Sequence, residues 1–157
     1  SIDSGAFSNF VLADGMIGES LTKAIGKELN GAVGTVPGGK SAGAQTYSAM
    51  AEKAGIKKDG PYVGESYDGA ALLVLAMQAA GSPDRSAIQA NMMKVANAPG
   101  TKIGPGEIAK GLKILASGGD VDYVGATNVE FNSVGEVLGS FKELEVRNGK
   151  FETVKVH

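Results

Sequence analysis

The sequence predicts an α/β fold. Three observations carry that reading. Short apolar runs alternate with stretches of helical spacing, and the connections between them are short. Glycine is abundant, with 24 among 157 residues and no repeat period, well above the roughly 7% of average proteins. Many tight turns between short α/β units account for such an excess.

Asn9 to Ala13 (NFVLA) is a short apolar run stopped by Asp14-Gly15, which predicts a buried strand ending in a turn. Ile17, Leu21, Ile25 and Leu29 then fall at helical spacing, predicting a helix over 17–29. Gly31 to Val36 (GAVGTV) predicts a second strand, and Ala42 to Ala54 a second helix ending at Gly55. The character changes near Lys57-Lys58-Asp59-Gly60-Pro61. Three helical stretches follow, at 62–80, 85–95 and 107–117, separated by the turn clusters Gly81-Ser82-Pro83-Asp84 and Ala98-Pro99-Gly100. Ser82 or Asp84 is placed to cap the second of them. Strand signals return with Asn128 to Phe131 (NVEF). Ser140 to Val146 alternates, Asn148-Gly149 is a strong hairpin signal, and Phe151 to Val156 is the expected partner strand.

Composition excludes several classes. A formal net charge of −2 argues against a nucleic-acid binder, which would present a basic face. The absence of cysteine removes disulfides and thiolate metal sites. The longest apolar run, Gly69 to Ala80, is too short for the ~20 residues of a membrane span and reads as a core helix. Ser1 to Phe10 has no initiator Met, basic segment or apolar segment of an export signal, so such a signal is expected to be absent or already removed. With no Gly-x-Ser-x-Gly turn and His157 as its one histidine, the sequence supports no Ser-His or Cys-His catalysis. No catalytic residue, metal ligand or cofactor is expected.

One motif competes with that reading. Residues 34–41, GTVPGGKS, fit G-x-x-x-x-G-K-[ST], a phosphate-cradling loop that would make Lys40 and Ser41 the residues of a small phosphotransferase. Such a site also needs a carboxylate at the end of another apolar strand to hold Mg²⁺. No such strand follows Ser41, and the one apolar run ending in Asp, NFVLAD, precedes the loop. Pro37 removes a backbone N–H from the cradle. An ordinary surface loop is the preferred reading.

Gly60 to Ser82 (GPYVGESYDGAALLVLAMQAAGS) and the ending GATNVEFNSVGEVLGSFKELEVRNGKF together resemble the C-terminal half of a type-one periplasmic solute-binding protein. The branched-chain amino acid group of ABC-transporter binding proteins is the nearest likeness. The front of the chain, a strand, an acidic-Gly turn, a helix and GAVGTVPG, is similar to that family as well. Each motif is weak alone, and their order and spacing carry the resemblance along nearly the whole chain.

The resemblance implies a two-lobed Venus-flytrap fold of which this chain is the C-terminal portion. Residues 1–58 are then expected in the second lobe. Residues 61–122 are expected as a helical segment of the first lobe, and 126–157, with a hairpin over 140–156, back in the second. The N-terminal half of such a protein, with most first-lobe strands, is expected to be missing from this chain. The resemblance further implies a periplasmic, non-enzymatic substrate-binding component of an ABC importer. Its partners would be a small amino acid or related acid or amide, and a membrane permease. A ligand-sensing receptor module of the same fold is the alternative within the family.

Five residues are candidates for ligand contact by that resemblance. Asp14 falls where the family places a polar group at the end of a second-lobe strand, and open α/β sheets bind ligands at the carboxyl ends of their strands. Its carboxylate would pair with a ligand ammonium; capping the following helix is the competing role. Gly15 and Met16 would line the same pocket. Tyr62, at the GPY position, would cover an apolar ligand side chain, and Glu65 lies one helical turn on. Tyr67 and Asp68 carry the resemblance but are expected to pack and cap.

Overall fold

The computed structural model describes residues 2–58 and 60–157. Asp59, within the Lys57–Pro61 break that the sequence points to, lies outside the described residues. In chain order the elements are β1 (Val11–Leu12), a 3-10 turn (Asp14–Met16), α1 (Glu19–Ile25), a second 3-10 turn (Gly26–Leu29) and β2 (Val33–Pro37). Then come α2 (Ala42–Lys53), α3 (Val63–Ala80), α4 (Arg85–Ala96), β3 (Thr101–Ile103), α5 (Ile108–Ala116), β4 (Val121–Tyr123), β5 (Phe141–Arg147) and β6 (Lys150–Val156). The fold class is mixed α/β. The chain forms two compact units, one of Ser1–Gly39, Asp59–Pro61 and Ser140–His157, the other of Lys40–Lys58 and Tyr62–Gly139.

The first unit is built on a four-stranded sheet of order β1-β2-β5-β6. β1 and β2 run parallel, with Val11 opposite Val33, while β5 is antiparallel to both β2 and β6. Side chains of a strand alternate between faces, and one face here is packed. Leu12, Leu29, Ala32 and Val146 are buried on it, with Ile17, Leu21, Ile25 and Phe151 against them. The other face leaves Val11 85% exposed. Gly34 is needed for close approach of β2 to β1, because a Cβ there would meet Leu12 O at 2.8 Å and the Ile17 side chain at 2.7 Å. The helix expected over 17–29 is shorter as an α-helix. Its α-helical part ends at Ile25, Gly26 takes a left-handed φ of 73°, and a 3-10 turn carries the chain on to the buried Leu29.

The second unit packs helices on a small parallel pair, β3 and β4, with Thr101 opposite Val121 and Ile103 opposite Tyr123. Its core joins Ala71, Leu72, Leu75 and Ala76 of α3 to Val95 and Ala96 of α4 and to Ile103, Val121 and Tyr123 of the strands. Burying these apolar side chains contributes about 1.5–3 kcal/mol for each of the larger ones. Asp84 caps α4: its Oδ1 accepts from the Ser86 and Ala87 amides at 3.0 and 3.2 Å. Ser82 instead takes the Asp84 amide at 3.1 Å.

The strand content differs from the sequence expectation in two places. β3 and β4 have no counterpart in the sequence reading. Asn128–Phe131 forms no strand; Phe131 makes one antiparallel bridge to Val137. The reason is a side chain remote in sequence: Asn97 takes both backbone groups of Phe131, accepting its N–H at 2.9 Å and donating to its carbonyl at 2.7 Å. α2 and residues 126–139 fall in the helical unit. Ser41 donates to the Ala126 carbonyl at 3.2 Å, and Gly43 lies so close to the Gly125 carbonyl that a Cβ would collide with it.

Candidate functional site

Asp14, Gly15 and Met16 are brought together as the 3-10 turn that directly follows β1. All three are exposed. Asp14 stands at the carboxyl end of a strand paired in parallel with β2, the position at which open α/β sheets bind ligands. Its Oδ1 accepts the Gly15 amide at 2.6 Å. It does not cap α1, whose N-cap is Gly18 without a side-chain bond. Gly15 has open space where a Cβ would point, so nothing within this unit requires glycine there. The Met16 side chain lines a cavity of about 440 Å³ with Leu21 and Ile25 of α1.

Tyr62 and Glu65 lie in the other unit, at the start of α3. Tyr62 is its N-cap in the left-handed region, with φ 62° and ψ 11°, a conformation that costs a non-glycine residue of order 1–3 kcal/mol. Glu65 occupies the first turn of α3, where its charge opposes the positive end of the helix dipole. Each group is thus internally assembled, the first three residues in one unit and the last two in the other.

Residues 34–41 do show the element order strand, loop, helix, and yet no phosphate cradle. Residues 33–37 are extended in β2, so Gly34 sits mid-strand and not at the mouth of a loop. Ser41 is the N-cap of α2, its Oγ accepting the Ala44 amide at 3.0 Å and donating to the Ala126 carbonyl. The hydroxyl that would hold a metal is engaged in the fold.

Asp68 is the most fully bonded side chain of the helical unit. Buried on α3, it accepts from the Tyr123 hydroxyl at 2.7 Å, the Ala126 and Thr127 amides at 2.8 Å each, and the Thr127 hydroxyl at 2.7 Å. Burial, reinforced by the bond to Asp68, pushes the Tyr123 hydroxyl well above the ordinary tyrosine range. Tyr67 packs its ring against Tyr47 and accepts the Gly106 amide at 2.9 Å. Both residues hold loops.

No protein-family profile matches the chain, and no curated protein matches it. Among solved structures, it is similar to the leucine-binding protein LivK of Thermotoga maritima, with a TM-score of 0.63 and 20% identity. That likeness covers 98% of this chain and 38% of LivK. The chain has part of the type-one periplasmic-binding-protein fold. It spans well under half the length of the binding protein whose fold it shares. Among the described residues, no cluster of His, Asp or Glu could hold a metal ion, and no helix is long and apolar enough to cross a membrane.

Proposed function

We propose that this chain is the C-terminal part of a substrate-binding component of an ABC importer, taking a small amino-acid-like ligand in a cleft between two lobes. The observation that carries this is the fold shared with a leucine-binding protein along 98% of the chain. The first unit would belong to the second lobe and the helical unit to the first. The remainder of the binding site would come from an N-terminal half like the rest of LivK, and the intact protein would work in the periplasm. Ligand would bridge the lobes, the hinge would close, and a membrane permease would recognise the closed form.

In this reading Asp14 takes the ligand ammonium, a charge-assisted bond contributing about 1.5–3 kcal/mol. Gly15 and Met16 flank it, and Tyr62 and Glu65 approach from the other lobe. A ligand-sensing receptor of the same fold would use the same residues. A phosphotransferase would need Lys40 and Ser41 around phosphate, and the α2 cap formed by Ser41 disfavours that use.

Calorimetric titration of the longest natural chain containing this sequence, with leucine, valine and then Mg-ATP, tests the proposal. Saturable amino acid binding, weakened at least tenfold by Asp14→Ala, is expected. Saturable ATP binding abolished by Lys40→Ala overturns it, and unchanged amino acid affinity in Asp14→Ala removes that residue from the site.

A further inference from the structure

The cavity of about 440 Å³ in the first unit has a chemistry of its own. Phe10 and Leu12 contribute from β1 and the residue before it, and Leu21 and Ile25 from α1. Among the described residues, the charged ones that line it are Asp3 and Glu28, both acidic. Both are exposed, and among the described residues neither forms an ion pair. Among the described residues, no basic residue lines the cavity, and neither does Asp14. Its size lies within the roughly 300–1,000 Å³ of small-molecule sites, which are mostly apolar with a few polar groups fixing orientation.

We propose that this cavity binds a hydrophobic primary amine, with the hydrocarbon against Phe10, Leu12, Leu21 and Ile25 and the ammonium turned to the Asp3 and Glu28 carboxylates. The inference does not rest on the interlobe reading, although Met16 lines this cavity as well. Charge selects the class: an ammonium meets the two carboxylates, while a free amino acid would also bring its own carboxylate to a wall on which the described residues place no cation. A neutral alcohol of the same length gains the apolar contact alone. Because both acids are exposed, the charge contributes selectivity in small steps, on the order of threefold per carboxylate.

The test is a titration of the isotope-labelled 157-residue chain, followed by NMR, with hexylammonium, hexanol and hexanoate. Saturable shifts at Leu21, Ala24 and Ile25 are expected for hexylammonium, with hexanol weaker and hexanoate weakest. Glu28→Gln, at an exposed position, should lower hexylammonium affinity about threefold and leave hexanol unchanged. Ala24→Trp, which fills the cavity, should abolish the shifts while the remainder of the spectrum persists. No saturable shift at the cavity, hexanol bound as tightly as hexylammonium, or Glu28→Gln without effect would each overturn the proposal.

Discussion

Asp68 and Tyr123 meet across 55 residues of sequence, the phenol donating to the carboxylate at 2.7 Å inside the helical unit. The same carboxylate receives two amides and a hydroxyl from Ala126 and Thr127. One side chain of α3 therefore fixes the end of β4 and the loop that leaves it. Removing it strands several buried donors, and each unsatisfied group costs about 1–3 kcal/mol. Asp68→Ala is expected to destabilise the protein by about 3 kcal/mol or more, and Tyr123→Phe by about 1–2 kcal/mol, in urea titrations. Equal, small losses in both variants would mean that the carboxylate is not the organising group.

The same pair sets a dependence on alkaline pH. Burial first, and the bond to Asp68 second, raise the Tyr123 pKa above its ordinary value. A raised pKa means that the folded state keeps its proton when the unfolded state begins to lose it. The stability from Tyr123 is therefore complete below about pH 10 and falls above it, at up to about 1.4 kcal/mol per pH unit. Thermal unfolding between pH 8 and 11.5 should show this loss in the parent protein, and Tyr123→Phe should flatten it.

Ser41 separates a structural loop from a nucleotide site. It caps α2 and ties the helix to Ala126. Ser41→Ala is expected to cost about 1 kcal/mol of stability through loss of the cap. Mg-ATP should leave the melting temperature of the parent unchanged, and Lys40→Ala should melt where the parent does. A rise in melting temperature with ATP that Lys40→Ala removes would restore the phosphate reading.

Longer elements were readable because their periodicity exceeds the noise of composition. α4 begins at Asp84, one of the two caps expected from the sequence, and the turn between β5 and β6 is marked by Asn148-Gly149, both at positive φ. β3 and β4 were not readable: three residues each, TKI and VDY, carry too little alternation and include Lys102 and a buried Asp122. Their pairing joins residues about twenty positions apart, which no local pattern encodes. NVEF looked like a strand because its competitor for the backbone, Asn97, sits 34 residues away from Phe131. At the candidate site, the position of Asp14 after an apolar run was legible. The surroundings of the other candidates were not: open space beside Gly15, a cavity beside Met16 and a left-handed backbone at Tyr62 are not encoded by any local pattern.

Gly125 and Gly118 allow backbone strain to be separated from packing. Both have positive φ, 60° and 81°, where a side chain costs roughly 1–2 kcal/mol. At Gly118 a Cβ would meet nothing within 4 Å. At Gly125 it would overlap the Asp68 carboxylate and the Tyr123 ring. Gly118→Ala should therefore lose about 1 kcal/mol, the backbone cost alone. Gly125→Ala has to displace buried, hydrogen-bonded groups as well and should lose about 3 kcal/mol or more. Combining Gly125→Ala with Asp68→Ala should give much less than the sum, because the collision and the stranded donors belong to the same contact. Additive losses in that double variant would show that the loop after β4 is held by something other than Asp68.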